Sequence, residues 1–487
     1  MRTSATLLAC FIANCILLPL PISAHAGADQ PFTITPLVLE GDNVPDLGIV
    51  HSVNKVTINN DGVWIVEVIA DDGYCSNALL RGGDILLSLC SPLDEPKGSY
   101  IHKFRSINVN NKGNSGWEFE IVSNNAYLGV YFNTDLLLLE GDISAAEDFT
   151  PGTTYQWIFG TQINSNDPPQ ILLSAQVDDP NIPGSDDRAL VIVTPNADGA
   201  GITETVVFKE GDILPGQSEP IILFPNSYSG LYAINDAGDV MFGARITVAP
   251  TLRVVYINDF LVAQEGSPSP IKGRNWSHLG PAASVDLNNR GGYVLYGGIY
   301  GDSQSNFIID RNGEKLVQKG DVLPGTNGAP IKPDAILPVL INDLSQVLWM
   351  GRWDNPDDDS ELRGLLLDLN FLVREGVSTK EGFIFNSLAS DNFSQPFAMS
   401  DNGRYIIFVA ILDDETEGAF MIDFGTPGKC PWDINGDGEV GVLDLLEIIN
   451  NFGPCDDPEN CPWDFNGNGI VNGQDVKELA THFGDCE

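Results

Sequence analysis

The chain has 487 residues, with 67 Asp and Glu against 25 Lys and Arg, and its formal net charge is −42. A surface this acidic repels phosphate backbones and anionic lipids, which argues against binding to nucleic acids or to membrane surfaces. Because 43% of the residues are hydrophobic and 9% are aromatic, the chain can bury a sizeable core and is not expected to be disordered. The acidity favours solubility and the binding of hard cations such as Ca²⁺.

The N-terminus has the pattern of a secretory signal peptide, which we predict over residues 1–26. Arg2 gives a positive start, an apolar stretch runs from Leu7 to Ile22, and Ala24-His25-Ala26 offers a cleavage site of the small-x-small type. No other stretch approaches the length of an apolar membrane-spanning helix. We therefore expect an exported protein, secreted or held at the cell surface, without a membrane span.

Residues 27–425 contain two degenerate signatures, and each occurs seven times. The first has the pattern apolar-x-(Glu, Lys or Gly)-Gly-Asp. Its glycines are Gly41, Gly83, Gly141, Gly211 and Gly320, with degenerate copies at Gly266 and Gly376. The second is apolar-Asn-x-x-Gly followed by alternating apolar residues, which predicts a hairpin turn between two strands. Its copies begin at Asn59, Asn110, Asn235, Asn288 and Ser400, with weaker versions at Asn164 and Asn342.

Successive Gly-Asp signatures are 42 to 70 residues apart, and the clearest unit has four traceable strands between residues 229 and 265. A repeat of this length with four short strands is typical of a β-propeller blade. The last unit lacks a fourth strand, whereas the chain begins with a fourth-type strand at 32–40. Pairing these two ends would remove both open sheet edges. The predicted fold class is therefore mainly β, a seven-bladed β-propeller with the N-terminal strand closing the last blade. A stacked array or two β-sandwiches is the alternative.

After a short linker at 426–429, residues 430–487 have a different composition, with 13 Asp and Glu against one Lys. This tail is a tandem duplication with an offset of 31 residues. Each copy follows the spacing 1-3-5-7-9-12 that surrounds Ca²⁺, except that the first copy has Gly441, without a side chain, at position 9. Gly438 and Gly469 at position 6 permit the sharp turn. We therefore predict two bound Ca²⁺ ions, each loop being followed by an α-helix.

The predicted ligands are side-chain oxygens, except at position 7, where the backbone carbonyl serves. In the first loop they are Asp433, Asn435, Asp437, Glu439 and Asp444, and in the second they are Asp464, Asn466, Asn468, Ile470, Asn472 and Asp475.

Neither loop is preceded by a helix, and each following helix ends in Phe-Gly. Two loop–helix repeats of this kind, with Asp at position 12, resemble the type I dockerin domain over these 58 residues. The resemblance implies attachment to a cohesin partner, classically within polysaccharide-degrading assemblies. This chain departs from the Ser-Thr-like pair that the family commonly has at positions 10 and 11, where it has Val442-Leu443 and Gly473-Gln474.

The first helix of the tail also differs from the second on what should be its outer side. Val442, Leu446 and Ile449 stand where the second copy has Gly473, Lys477 and Ala480. We interpret these three apolar residues as a partner-binding face. Packing against the sister helix or against the propeller is the alternative.

Six cysteines remain once the signal peptide is removed: Cys75, Cys90, Cys430, Cys455, Cys461 and Cys486. An even number in an exported protein predicts disulfides. Cys430 and Cys455 are 25 positions apart, and so are Cys461 and Cys486. This equality suggests one bridge in each repeat and Cys75–Cys90 as the third pair, although about 15 connectivities are possible for six cysteines.

Motifs of known catalytic chemistry, such as Gly-x-Ser-x-Gly, a P-loop or His-Glu-x-x-His, do not occur, so catalytic residues are unknown. Acidic clusters at 71–72, 178–179, 357–359 and 413–415 follow the second strand of several predicted blades. They form either an acidic face that takes up Ca²⁺ or a cationic partner, or solvated hairpin tips.

The predicted function is that of an exported, calcium-dependent binding or scaffold protein. The propeller would be a recognition surface, with polysaccharide as one candidate ligand, and the tail would dock to a cohesin-like or cell-surface partner. The alternative is a glycoside hydrolase or polysaccharide lyase carrying a dockerin, which would need a facing pair of carboxylates. The propeller repeats also resemble those of uncharacterised exported bacterial repeat proteins, a resemblance that implies no activity.

Overall fold

The computed structural model describes residues 32–70, 75–122, 126–182, 187–196, 201–224, 231–248, 251–279, 284–333, 338–356, 358, 360–388, 395–425, 432, 434, 439–455, 461, 463, 465 and 469–485. The predicted signal peptide and the acidic residues Asp71, Asp72, Asp357 and Asp359 lie outside these ranges. Within the described ranges, no helix is long and apolar enough to cross a membrane.

Alternating apolar residues produce seven antiparallel sheets, each a blade whose strands follow one another along the chain. Blade 1 contains β2 (Asn43–Val44), β3 (Gly48–Ile58), β4 (Trp64–Ala70), β5 (Asn77–Arg81) and β6 (Asp84–Ser88). Blade 2 contains β7 (Tyr100–Val109), β8 (Ser115–Val122), β9 (Ala126–Phe132) and β10 (Asp135–Leu139). Blade 3 contains β11 (Tyr155–Ile163), β12 (Ile171–Val177), β13 (Arg188–Pro195) and β14 (Ile202–Lys209).

The remaining blades repeat this arrangement, and three of them have an inner strand broken into two pieces. Blade 4 contains β15 (Tyr232–Ile234), β16 (Val240–Val248), β17 (Thr251–Ile257) and β18 (Phe260–Gln264). Blade 5 contains β19 (Trp276–His278), β20 (Val285–Leu287), β21 (Tyr293–Ile299), β22 (Phe307–Arg311) and β23 (Glu314–Gln318). Blade 6 contains β24 (Lys332–Pro333), β25 (Leu340–Ile341), β26 (Val347–Asp354), β27 (Glu361–Leu367) and β28 (Asn370–Arg374).

Blade 7 joins the two ends of the propeller. It contains β29 (Phe385–Leu388), β30 (Phe397–Met399), β31 (Tyr405–Leu412), β32 (Glu417–Asp423) and, as its outer strand, β1 (Thr33–Leu39). The register pairs Ile34 with Ile422 and Leu39 with Gly418. The prediction of a seven-bladed propeller closed by the N-terminal strand is thus confirmed, and the stacked and sandwich alternatives are excluded.

The core of the propeller divides into seven hydrophobic clusters, each lying between two successive blades. Because side chains alternate along a strand, every blade contributes one face to each neighbour. Between blades 5 and 6, for example, Val294 and Tyr296 pack with Val347 and Trp349. The ring is therefore held together mainly by sheet-on-sheet packing around its whole circumference.

At six of its seven predicted copies, the Gly-Asp signature is the turn that leads from the outer strand of one blade to the inner strand of the next. The assignment of the copy at Gly83 was wrong, because Gly83 and Asp84 lie in the hairpin between β5 and β6, and the equivalent turn after blade 1 is made by Cys90, whose N–H donates to the Ile101 carbonyl. Gly211, with φ +93°, donates its N–H to the carbonyl of Ile221, and Asp212 Oδ2 accepts the N–H of Lys209 at 2.9 Å. The same aspartate bond recurs at Asp42, Asp142 and Asp321. The signature therefore fixes blade-to-blade turns, as expected for Asp beside Gly.

The Asn-x-x-Gly signature closes the hairpin between the first two strands of a blade and ties it to the next blade. Asn288 accepts the N–H groups of Arg290 and Gly292 on Oδ1, and its Nδ2 donates to the Asn342 carbonyl at 2.7 Å. The equivalent amide-to-carbonyl bond is made by the four signature asparagines Asn59, Asn110, Asn164 and Asn235. The hairpin glycine has a φ between +71° and +81° in five blades, where a side chain would be strained.

The tail forms two loop–helix repeats, with α1 (Val442–Asn450) and α2 (Gly473–Ala480). Two short pairings hold it together: β33 (Glu439–Val440) with β36 (Gly484–Asp485), and β34 (Gly453–Pro454) with β35 (Ile470–Val471). Its core is made by equivalent residues of the two copies, Val440 and Val471 together with Ile448 and Leu479. The predicted helices and duplicated core are confirmed.

We expect Asn288→Ala to destabilise the propeller by about 1–3 kcal/mol, because it leaves the buried carbonyl of Asn342 and two turn N–H groups without their partner. The measurement is the free energy of unfolding from urea denaturation followed by tryptophan fluorescence. Asn370→Ala is the control, since Asn370 is exposed at the start of β28. Equal stability of the two variants would contradict the role given to the signature asparagine.

Candidate functional sites

The inner strands of all seven blades surround a central channel that encloses a cavity of about 180 Å³. Its wall is polar at one end, where the Asn-x-x-Gly hairpins converge, and three of its lining residues are the aspartates Asp236, Asp286 and Asp401. No Lys, Arg or His is among the described residues that line this cavity. The channel is therefore an acidic compartment.

The residue that follows each signature asparagine narrows the channel at this end. The seven residues at this position, which we call the plug, are Asn60, Asn111, Ser165, Asp236, Asn289, Asp343 and Asp401. Five neighbouring pairs are joined in the same way: the backbone N–H of one member donates to the side-chain oxygen of the next, at 2.6–3.1 Å. Two bonds also cross the channel, since Asn111 Nδ2 and Asn289 Nδ2 donate to Asp401 Oδ2 at 2.7 and 3.2 Å. The channel is closed here by side chains.

Two carboxyls in the channel have shifted pKa values. Burial, opposed by the N–H groups of Ile341 and Leu287, raises the pKa of Asp286 to about 7, and the charge of Asp401 adds to the rise. Burial, together with the charge of Asp343, raises the pKa of Asp401 to about 6. The aspartates of the plug stand beside the signature asparagine in sequence, but nothing in the local pattern indicates that they meet at the axis.

Other buried ionisable side chains lie between blades 1 and 2 and between blades 2 and 3, where no sequence motif indicates a site. Lys55 forms a buried ion pair with Glu67. Glu118 is fully buried, its Oε2 accepts the N–H of Gly160, and burial raises its pKa to about 8. In the sequence, these buried ionisable residues are indicated only by glutamates within the otherwise apolar strands β4 and β8.

The three histidines of the propeller, His51, His102 and His278, do not assemble a catalytic site in the described part of the chain. His102 contacts Glu120, which also binds Arg105. Burial alone would raise the pKa of Glu120, but the hydrogen bonds from Arg105 and His102 outweigh it and hold that pKa below its usual value. His51 lies in blade 1 and His278 in blade 5, so the three histidines stay apart.

The acidic hairpin clusters use their described carboxylates to cap loop backbone. Asp179 accepts the N–H and the hydroxyl of Thr150, and Asp178 accepts the N–H of Thr154. Asp358 and Asp414 accept the backbone N–H two residues further on. These contacts favour the hairpin-tip alternative over a calcium-binding rim.

The position-12 aspartates of the tail, Asp444 and Asp475, are fully buried. Asp444 accepts the N–H of Ile434 on Oδ1 at 2.7 Å and that of Gly441 on Oδ2 at 2.8 Å. Asp475 accepts the N–H of Asn472 at 2.8 Å. Each carboxylate thus joins its loop to the first turn of its helix. Burying a carboxylate is costly unless it is paired or coordinates a metal, so this position fits a calcium loop.

The other predicted ligands are described only in part. In the second loop, Asn472 caps α2 by accepting the N–H of Gln474, and its Nδ2 donates to the Ile470 carbonyl at 2.9 Å. Glu439 begins the short strand β33. The predicted ligands at positions 1, 3 and 5 lie outside the described residues: Asp433, Asn435, Asp437, Asp464, Asn466 and Asn468.

The sequence of the tail decides its family. Residues 431–483 match the family model of the dockerin type I domain. Dockerin type I domains bind calcium, a dockerin implies a cohesin partner, and dockerin proteins are usually extracellular. No curated protein matches the chain by sequence.

Solved structures that match this chain do so at low similarity. A Hadza microbial sialidase, Hz136, is 10% identical and has a TM-score of 0.31, and the match covers 80% of this chain and 94% of the sialidase. The dihydro-heme d1 dehydrogenase NirN is 12% identical with a TM-score of 0.32, and the match covers 83% of this chain and 76% of NirN. An aldose sugar dehydrogenase from Streptomyces coelicolor is 11% identical with a TM-score of 0.27, and the match covers 81% of this chain and 98% of the dehydrogenase. At this similarity they carry no argument about the fold or the activity of this chain.

The predicted partner face of the dockerin domain is exposed. Val442, Leu446 and Ile449 on α1 are 64%, 47% and 45% exposed, so they do not pack against the sister helix. Leu443 and Phe452 extend the same apolar surface, at 55% and 51%. The corresponding exposed positions of α2 carry Gly473, Gln474, Lys477 and Ala480, followed by Phe483.

The disulfides confirm one predicted pair and correct another. Cys75 is bonded to Cys90, as predicted. In the dockerin domain Cys455 is bonded to Cys461, with Cα atoms 5.9 Å apart, so the prediction of one bridge within each repeat was wrong. The pairing of β34 with β35 places the Cys455 N–H on the Gly469 carbonyl and brings the end of one repeat to the start of the next. The equal spacing of 25 residues reflects the duplication itself. Cys430 and Cys486 lie outside the described residues.

Peptide mapping of the purified protein under non-reducing conditions should recover a fragment in which Cys455 is linked to Cys461. We expect this fragment because the two Cα atoms are 5.9 Å apart, which is within the usual range for a disulfide. The Cys75–Cys90 fragment serves as the internal control. A peptide linking Cys430 to Cys455 would restore the one-bridge-per-repeat pairing and contradict the structure.

Proposed function

We propose that the protein is a secreted, calcium-dependent docking and binding protein. Residues 1–26 would direct export, residues 27–425 would form the recognition surface, and residues 430–487, after the linker 426–429, would attach it to a cohesin-like or cell-surface acceptor. The observation that carries this proposal is the exposed apolar face of α1, which the second repeat does not share. It supports a dockerin domain that retains a partner-binding surface.

The apolar face of α1 is suited to docking because it has no function within the domain. Ile448 and its counterpart Leu479 fill the core, whereas Leu446 and Ile449 lie on the outer side of the same helix. Fully burying one such side chain contributes about 1.5–3 kcal/mol, and these three still have roughly half of their surface to bury, so covering them would contribute to the affinity of a complex together with other contacts. The proposed partner-binding residues are therefore Val442, Leu446 and Ile449.

Calcium would fix the geometry of this face. One ion in each loop, two in all, would bring the position-12 carboxylate and the earlier loop oxygens together, and α1 and α2 begin immediately after their loops. A tail of 58 residues has a small core, and metal binding then contributes directly to folding. Docking should accordingly depend on Ca²⁺.

We expect Leu446→Lys to weaken capture of a cohesin module at least tenfold, because it places a charge in the centre of an apolar contact. A tenfold loss corresponds to about 1.4 kcal/mol. The measurement is isothermal titration of the full chain with a panel of purified type I cohesin modules in Ca²⁺. The matched control is Lys477→Leu, at the equivalent position of α2, which should bind like the unaltered protein.

Excess EGTA should abolish the same titration signal, and Asp444→Ala should reproduce that loss in Ca²⁺. Unchanged affinity for Leu446→Lys would remove α1 as the docking face. Binding that persists in EGTA would contradict the calcium dependence and leave the face itself in place.

A glycoside hydrolase or polysaccharide lyase is the second candidate, and one observation favours it. Asp286 and Asp401 line the same channel and both have raised pKa values, as a catalytic acid requires. Against this, each carboxylate is bonded to neighbouring blades, Asp286 to the N–H of Ile341 and Asp401 to Asn111. The contacts support a structural use of both residues.

A glycan panel separates the two candidates, with binding and the release of reducing ends or unsaturated products measured together. We expect binding without product release, since the channel carboxylates are engaged in holding blades together. Product release that disappears in Asp286→Asn, with the circular dichroism spectrum retained, would instead establish the enzyme. Asp259→Asn is the control, because Asp259 is exposed on a hairpin.

A further inference from the structure

The plug joins blades that are not neighbours in the ring. Asp401 of blade 7 receives Asn111 from blade 2 and Asn289 from blade 5 on one carboxylate oxygen, and its backbone carbonyl accepts the N–H of Asp343 from blade 6 at 2.7 Å. Asn289 Nδ2 also reaches Asp343 Oδ2 at 3.3 Å. Four blades thus meet at one residue, three of them at its carboxyl group and the fourth at its backbone carbonyl, so the state of that carboxyl group bears on contacts between several blades.

The charges that face Asp401 are all of its own sign. Asp236 and Asp343 belong to the plug, and Asp286 lies on the inner strand β20 just before it. Two basic residues near the plug hairpins lie beside other carboxylates: Lys112 Nζ is 3.9 Å from Asp167, and Arg404 Nε is 3.1 Å from Asp423. The described channel wall offers no cationic side chain to offset four carboxylates.

We propose that Asp401 of the plug and Asp286 beside it form a proton-linked lock on the propeller ring, which tightens when these two carboxyl groups take up protons and loosens when they are ionised. A protonated Asp401 still accepts the two asparagine amides on one oxygen and no longer repels Asp236, Asp286 and Asp343. Fully ionised, the four groups push blades 4 to 7 apart at the point where the ring is narrowest. The lock thus belongs to the propeller and is independent of the dockerin domain's partner.

The sign of the effect follows from the direction of the pKa shifts. The folded-state pKa values of Asp286 and Asp401, about 7 and about 6, lie above the usual value for aspartate of about 3.9. Between the usual and the raised values the folded state holds protons that the unfolded chain releases. The contribution of these groups to stability is therefore present at low pH and is lost as the pH rises through about 6 to 7.

The test compares Asp401→Asn with the unaltered full chain by calorimetry from pH 5 to pH 8, in excess EGTA so that bound calcium does not contribute. We expect the Tm of the propeller in the unaltered chain to fall over this range. In Asp401→Asn the fall should be smaller, the Tm at pH 8 should be higher, and about one proton fewer should be released on unfolding near pH 5. Identical pH profiles of the two proteins would overturn the proposal.

The substitution Asn111→Asp tests the proposal in the opposite direction, because it replaces a hydrogen-bond donor to Asp401 with a further carboxylate. Its Tm should fall more steeply with pH than that of the unaltered chain, and acidification should recover most of the loss. Asp259→Asn, on an exposed hairpin, should follow the unaltered profile.

A last comparison, made with CaCl₂ in place of EGTA, distinguishes protons from metal. If Ca²⁺ raises the Tm of the unaltered chain at pH 8 much more than that of Asp401→Asn, while both have the same pH profile in EGTA, the plug is a cation site and the proton lock is wrong. Equal calcium effects in the two proteins, with different pH profiles, support the lock.

Discussion

The amide group of one asparagine in the inner hairpin of each of blades 1 to 5 is the contact on which the propeller depends. Its oxygen accepts N–H groups of its own turn, and its nitrogen donates to the backbone of the next blade, as Asn288 does towards Asn342. Both ends of this bridge are buried, so an unpaired partner would cost about 1–3 kcal/mol. In blade 7 Ser400 takes this place, and Asn402 instead binds Asn60 of blade 1 through backbone and side chain. Seven packed interfaces give the ring its bulk stability, and this circle of amides fixes the angle between blades.

The same geometry brings the following residue of every hairpin to the axis. Space at the axis admits only short polar side chains, and in this chain they are three aspartates, three asparagines and a serine. The acidity of the sequence therefore reaches the centre of the fold and is not confined to its surface. Because the carboxylates are engaged in contacts between blades, the closed end of the channel is a structural element, which favours recognition on an outer face of the propeller over chemistry inside it.

The sequence alone predicts the blades well because strand alternation and turn residues are local signals. It also predicts ring closure, since an unpaired strand at each end of the chain, Thr33–Leu39 and Glu417–Asp423, leaves one obvious pairing. It does not predict the plug, because convergence of Asn111 and Asp401 across the axis joins residues 290 positions apart. Nor does it reveal that Glu118 is buried, since a glutamate in an alternating strand ordinarily faces water.

In the dockerin domain, the duplicated sequence led to a wrong disulfide prediction, but differences between its two copies still indicate a surface for partner binding. Equal cysteine spacing arises from duplication, whereas the observed Cys455–Cys461 bond arises from the way the two copies face each other through β34 and β35. Differences between the copies carry the opposite information. The buried positions carry similar apolar residues in the two repeats, Ile448 and Leu479, because both contribute to the core of the domain. The exposed helix faces do not match, and Leu446 lies outside the core that the described residues of the domain form, where the other repeat has Lys477. An apolar face that folding does not require, and that water disfavours, is best explained by a partner that covers it.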